Sequence, residues 1–366
     1  MTSSSTEFHR RHRRGTCVCL EAVVTVVLLL VHRGDLSPTE SVAVDPLTAS
    51  PATLWCTDVC DCYNNMQTLD CSQRHLSVIP GRLPQSARRV YLEDNNIGQI
   101  DLEEFTRSRR VSQLVLDRNR LTSVDTATFC MMTSLQELSL SANMIKSFHV
   151  SRRPGCISAA LRQLDLSLNL LTTVPANLSS FAPRLEILDL SCNEITVATL
   201  DSSFAQLTSL RQLDLSRNRI HFLSATEFQP LRHVPLDVLN LAETELAAIE
   251  DDALSPLSGS LKYLSLTGNP LEPENLARVL ARYAATRSLD EAGSNCTQCN
   301  ASEPLTAPQS SETVQSVALP LTRLSIGEMS VGNLTQDMLA QFHHLLHYSS
   351  ALYITTTVDD KEQKRK

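Results

Sequence analysis

Residues 161–169 read LRQLDLSLN, residues 185–193 read LEILDLSCN and residues 210–218 read LRQLDLSRN, so one phrase is written three times, closing at Asn169, Asn193 and Asn218. Within it, Leu164 and Leu166 alternate with Asp165. In an extended chain that spacing points both leucines to one side and the aspartate to the other. One strand with a single apolar face cannot bury it alone, so copies must stack side by side and share a core. The asparagine closing each phrase carries both donors and an acceptor, which suits it to satisfy backbone groups where the chain turns away from the strand.

Extended outward, the phrase becomes L-x-x-L-x-L-x-x-N-x-L and occurs eight times. Its register is marked by Asn95, Asn119, Asn143, Asn169, Asn193, Asn218 and Asn269, with Thr244 standing in once. Successive marks keep a nearly constant period of roughly 25 residues, inside the range of stacked repeat arrays. Threonine offers fewer bonds than asparagine, so a looser rung is predicted at Thr244. A second apolar mark follows about ten positions after the first: Phe105, Phe129, Phe204, Phe228 and Leu254, with Phe181 displaced. These are predicted to fill the core from the return side.

The chain has 366 residues and a net charge of −8. That length would ordinarily mean two or three compact domains, but a stacked array escapes the rule because each unit touches only its neighbours. No basic block is large enough to neutralise many phosphates, so nucleic acid is not expected as a partner and polyanions should be repelled.

HRRHRRG at 9–15 precedes the apolar run CVCLEAVVTVVLLLV at 17–31, the order of a secretory signal. As a helix this run would span about 22 Å, less than the roughly 30 Å of a bilayer core. Residues 1–34 are therefore read as a signal peptide or, since no small-x-small cleavage site lies at the usual distance, as an uncleaved signal anchor. Either route delivers the remainder outside the cell, and a retained anchor is the one expected membrane contact. Residues 35–55 form a linker. Cys56, Cys60, Cys62 and Cys71 cluster closely, which fits an oxidising compartment better than a four-thiolate zinc site. Four cysteines allow three pairings, and spacing does not choose among them. Sequons at Asn177, Asn295, Asn300 and Asn333 are candidate glycosylation sites.

With the repeats and this cysteine cluster, the chain resembles the extracellular leucine-rich repeat superfamily of Toll-like receptor ectodomains, Slit-type proteins and small leucine-rich proteoglycans. The resemblance covers about 56–280. It implies an α/β repeat fold: a curved solenoid with parallel strands on a concave binding face. Residues 56–84 resemble the family's cysteine-rich N-terminal cap, and residues 85–271 hold the eight repeats. The chain departs from the family at 272–299, where EPENLARVLARY stands in place of a C-x-C pair. Leu276, Val279, Leu280 and Tyr283 keep helical spacing, so an atypical capping helix is predicted, with an irregular loop as the alternative.

Cys296 and Cys299 are candidates to bridge each other or tether that cap. Cys130 and Cys156 lie in adjacent returns and are candidates to pair. Cys192 is then the spare thiol, either a shielded small residue or an intermolecular link. Residues 300–332, rich in Ser, Thr and Pro, read as a linker. Residues 333–366 read as an amphipathic helix, with Met338, Leu339, Phe342, Leu345 and Leu346 in one stripe, followed by a charged tail.

No catalytic constellation is present: there is neither a G-x-S-x-G elbow nor a Walker loop, and His343, His344 and His347 lack the glutamate of H-E-x-x-H. Neither enzymatic activity nor a metal or cofactor is expected. The candidate site is the set of outward central strand positions, running Tyr91, Val115, Ser139, Asp165, Asp189, Asp214, Asn240 and Ser265. Of these, Tyr91, Asp165, Asp189, Asp214 and Asn240 are the candidate ligand-binding residues. Arg89, Glu93, Gln113, Asp117, Glu137, Gln163 and Gln212 flank them. Three carboxylates on successive strands about 4.8 Å apart repel by roughly 0.9 kcal/mol per pair in water. Such a column either receives a cationic ligand or serves local bonding. The function expected is extracellular recognition of a protein ligand in adhesion, matrix assembly or signalling. An innate-immunity module for microbial products is the alternative. A purely structural proteoglycan is disfavoured because Ser258-Gly259 is an isolated pair.

Overall fold

A computed structural model of the chain describes residues 55–81, 83–272, 274–276, 278–279, 323–325 and 353–355. Its backbone is a stack of three-residue strands. A single turn of π-helix, Trp55–Val59, leads into β1 (Asp61–Tyr63), which pairs antiparallel with β2 (Thr68–Asp70). From β2 onward every pairing in this sheet is parallel: β3 (Arg89–Tyr91), β4 (Gln113–Val115), β6 (Glu137–Ser139), β8 (Gln163–Asp165), β9 (Ile187–Asp189), β10 (Gln212–Asp214), β12 (Val238–Asn240) and β14 (Tyr263–Ser265). The return side carries two small parallel pairs. One joins β5 (Ser123–Asp125) to β7 (Ser147–His149), the other β11 (Phe222–Leu223) to β13 (Ala248–Ile249). Short 3-10 turns and one α-helical turn, α1 (Leu178–Phe181), complete the returns.

The interior is one continuous apolar cluster from Trp55 to Val279. Leu161, Leu164 and Leu166 enter it from the strand side, and Phe105, Phe129, Phe181, Phe204 and Phe228 from the return side, all at 0% exposure. Phe105 and Phe129 stack with ring centroids 6.1 Å apart. The asparagines form a second ladder. Asn193 donates through Nδ2 to the Leu190 and Leu166 carbonyls, while its Oδ1 accepts from the Leu171 amide of the preceding rung. Asn119, Asn143, Asn169, Asn218 and Asn269 repeat this arrangement.

Turning inward requires a left-handed residue just before each asparagine, and before Thr244 where it stands in. Asp94, Arg118, Ala142, Leu168, Cys192, Arg217 and Glu243 have φ between 51° and 56°, and Gly268 has φ 71°. That conformation costs an L-residue roughly 1–2 kcal/mol, offset by the buried bonds it makes available. Glycine has a further reason at 268, since a Cβ there would come 2.8 Å from Glu243 Cγ.

The expectation of fewer bonds at Thr244 is met, since its hydroxyl reaches only its own rung and the next, although the rung stays packed. Thr244 is fully buried, its hydroxyl reaches the Leu241 carbonyl at 2.9 Å, and Asn269 of the next rung accepts from its amide. Beyond β14, residues 274–276 and 278–279 are helical and bury Leu276 and Val279 against the last repeat.

The reading of 300–332 as linker and of 333–366 as helix and tail needs correction at two places, 323–325 and 353–355; the predicted helical stripe of Met338, Leu339, Phe342, Leu345 and Leu346 lies outside the described residues. β15 (Arg323–Ser325) pairs parallel with β14, and β16 (Tyr353–Thr355) pairs parallel with β15, so the sheet has twelve strands among the described residues. The physical reason lies in LTRLSI at 321–326, which repeats the L-x-x-L-x-L spacing. Arg323, however, follows its partner Tyr263 by more than two repeat lengths, so this copy falls off the period.

The cap cysteines pair as Cys56–Cys62 and Cys60–Cys71, and Cys130 pairs with Cys156. Cys192 is also disulfide-bonded, which corrects its reading as the spare thiol. The signal segment, Cys296, Cys299, Asn295, Asn300, Asn333, Leu280, Tyr283 and the histidines at 343, 344 and 347 lie outside the described residues. Among the described residues, no helix is long and apolar enough to cross a membrane and no group of His, Cys, Asp and Glu is arranged to hold a metal ion.

Candidate functional site: the strand face

Strand register brings the outward central residues into one column. Tyr91 faces Val115, Val115 faces Ser139, Ser139 faces Asp165, and Asp165, Asp189, Asp214, Asn240 and Ser265 continue it rung by rung. Each carboxylate serves the backbone first. Asp165 Oδ1 accepts from the Ser167 amide at 2.8 Å, Asp189 from Ser191 at 2.9 Å and Asp214 from Ser216 at 2.9 Å. Asn240 does the same job for Ala242 at 3.1 Å, so the turn needs an acceptor oxygen rather than a charge.

The column is also linked along its length. Asp214 Oδ2 accepts from Asn240 Nδ2 at 2.8 Å, which ties two of its members together. At the other end the Tyr91 hydroxyl donates to Gln113 Oε1 at 3.0 Å.

Burial pushes the Asp189 carboxyl up to about 7, and the adjacent Asp214 and Asp165 charges add to the effect. Burial likewise raises Asp165, against the bonds from Ser167 that favour its charged form. The column therefore does not carry three full charges at neutral pH. Two flanking carboxylates extend it. Asp117 accepts from the Ser139 hydroxyl and the Ser141 amide, and burial raises its pKa, with Asp165 contributing. Glu93 is raised by burial and by the charges of Asp70 and Asp117, and its Oε2 is buried with no hydrogen-bond partner among the described residues.

Asp70 is the residue that sequence reasoning missed. It lies opposite Tyr91 and accepts from the Ser72 amide and hydroxyl, as Asp214 does from Ser216. Its signal was legible as TLDCS, the repeat phrase with cysteine in place of leucine.

The rows on either side hold ion pairs, while Arg88 and Arg211 of the leading row have no carboxylate partner among the described residues. Along the leading edge, Arg162 pairs with Glu186 at 3.0 Å and Lys262 with Asp237 at 2.9 Å. Along the trailing edge, Arg118 bonds Asp94 at 2.9 Å and Arg217 pairs with Glu243 at 3.1 Å. The face thus presents a column of carboxylates from Asp70 to Asp214 between two rows that contain ion pairs. Elsewhere, Asn177 is exposed, left-handed at φ 60°, and makes no side-chain cap bond at the start of α1.

The repeat signature is shared with known proteins. The Leucine rich repeat family model matches residues 85–148 and 183–235. Podocan of Mus musculus is 30% identical over 239 residues, covering 64% of this chain and 37% of podocan. Osteomodulin of Rattus norvegicus is 26% identical over 223 residues, covering 60% of this chain and 50% of osteomodulin. The chain thus spans half or less of the length of these two relatives. A crystal structure of human trophoblast glycoprotein aligns at 24% identity with a TM-score of 0.44, covering 59% of this chain and 81% of that one.

Proposed function

Because the chain is an extracellular leucine-rich repeat protein, we propose that its strand face recognises a basic segment of another extracellular protein, in adhesion, matrix assembly or signalling. The observation that supports this reading is the column of Asp165, Asp189 and Asp214 on adjacent strands, none of which makes an ion pair among the described residues, between two rows that do hold ion pairs. A rigid array of side chains loses little entropy on binding, which favours recognition over catalysis as its use. The mixed polar lining also suits a protein partner better than an apolar small molecule.

The test is the triple variant Asp165→Asn, Asp189→Asn, Asp214→Asn. Asn240 already caps its own turn, so asparagine at these positions preserves the fold. Binding to a panel of matrix proteins and growth factors is measured by surface plasmon resonance at two salt concentrations. The variant is expected to bind the cognate protein more weakly and with a flatter salt dependence. Unchanged affinity places the interface elsewhere.

A further inference from the structure

The net charge of −8 argues against polyanion binding, yet the charges are not spread evenly over the surface. On the strand side Arg118, Arg162 and Arg217 are engaged by carboxylates. On the convex side the arginines are not: Arg107, Arg109, Arg110, Arg152, Arg153 and Arg184 are all exposed, and among the described residues none makes an ion pair. The segments that hold them, 105–112, 151–160 and 182–185, contain no aspartate or glutamate, and neither does 131–135 between them.

The fold sets these segments side by side. Backbone bonds from Ser112 to Arg88, Gln136 to Ser112, Arg162 to Gln136 and Glu186 to Arg162 tie together the residues that precede successive strands. Two positions earlier, Arg110, Ser134, Ala160 and Arg184 therefore occupy equivalent places on four consecutive rungs. Their ends are about 14 Å apart at roughly 4.8 Å per rung. The Cys130–Cys156 disulfide and the bond from the Ser158 amide to the Phe181 carbonyl hold the middle of this strip together. Arg152 and Arg153 border a cleft of about 320 Å³ shared with Ser151, Gly155 and Ser180. Asp101, Glu103, Glu104, Asp125 and Asp201 border the strip, and three of these carboxylates are held to backbone amides rather than to its arginines. Glu104 accepts from the Asp101 amide, Asp125 from the Ala127 amide, and Asp201 from the Asn177 amide.

We propose that this convex strip binds a sulfated glycosaminoglycan chain of the extracellular matrix. The ligand class follows from the chemistry. Guanidinium groups bond sulfate oxygens in pairs, arginines spread over three rungs, at 107–110, 152–153 and 184, match an extended polyanion rather than a single ion, and the compartment supplies sulfated polysaccharide rather than nucleic acid. The strip lies away from the strand face, so this inference and the proposed protein recognition succeed or fail independently.

The experiment compares the full chain with a variant carrying Arg107→Ala, Arg109→Ala, Arg110→Ala, Arg152→Ala and Arg153→Ala, on immobilised heparin and on a plain sulfonate exchanger. All five side chains are exposed, so the variant's urea denaturation midpoint is expected to match wild type and serves as the folding control. Wild type is expected to elute from heparin at clearly higher salt than from the exchanger. The variant should lose about tenfold or more in heparin affinity, with a shallower salt slope, since fewer counterions are released. The strand-face triple variant should keep its heparin binding. No heparin retention by wild type, equal retention on both matrices, or an unchanged five-site variant would each overturn the proposal.

Discussion

The asparagine ladder works because one carboxamide does three jobs, of which threonine can do only one. Asn218 reaches the carbonyls of Leu215 and Leu190 and accepts from the Ile195 amide. At the next rung the Thr244 hydroxyl stops at its own rung's Leu241 carbonyl and at Asn269. The groups an asparagine at 244 would reach on the preceding rung are the Leu215 carbonyl and the Ile220 amide. Thr244→Asn is therefore expected to stabilise the protein by about 1 kcal/mol, the usual net gain for a buried hydrogen bond. A rise in the urea midpoint at unchanged m would register it, and a fall would mean that the site is too tightly packed for the larger side chain. The sequence made the substitution visible but not its consequence. The compensation comes from Asn269 on the following rung, and depends on which rung lies beside which.

At the level of the sheet, three aspartates that look identical in sequence become unequal by position. Asp189 is flanked on both sides by carboxylates, and its folded pKa of about 7 stands above the ordinary carboxylate value. A group raised in this way destabilises the fold when ionised. The penalty is full above pH 7, diminishes as the pH falls towards about 4, and vanishes once both folded and unfolded forms are protonated. Asp189→Asn is expected to stabilise the protein by on the order of 1 kcal/mol at pH 8 and hardly at all near pH 4. Urea denaturation at both pH values checks this, and an equal effect at both would remove electrostatics as the cause.

The alternation of Leu164, Asp165 and Leu166 made these elements and their outward column legible in advance. Asp70 and the strand at Arg323–Ser325 stayed hidden because each breaks a cue: one sits among cysteines, and the other lies off the period and lacks the asparagine. The disulfide pairing of the cap was not legible at all, since it depends on how β1 folds back on β2.

Over the whole molecule, stability is a sum over rungs and their contacts, so both ends must be covered. The cap closes one end through β2, which pairs directly with β3, and β15 and β16 extend the other past β14. A chain ending at residue 322 is expected to show a lower urea midpoint and a smaller m value, because less surface is buried. Unchanged values would mean that the last two strands contribute nothing. The same additivity explains how recognition surfaces can sit on both sides of one scaffold, since side chains pointing outward scarcely affect the interior.

The long stretch of chain between β14 and β15 has a kinetic implication. Rungs one regular period apart can zip onto a growing nucleus one after another, each closing a loop of similar length. The next strand must first close a loop more than twice as long, which adds roughly 0.8 kcal/mol of chain entropy. During synthesis, the body of the horseshoe would be assembled while its last two rungs were still waiting to arrive.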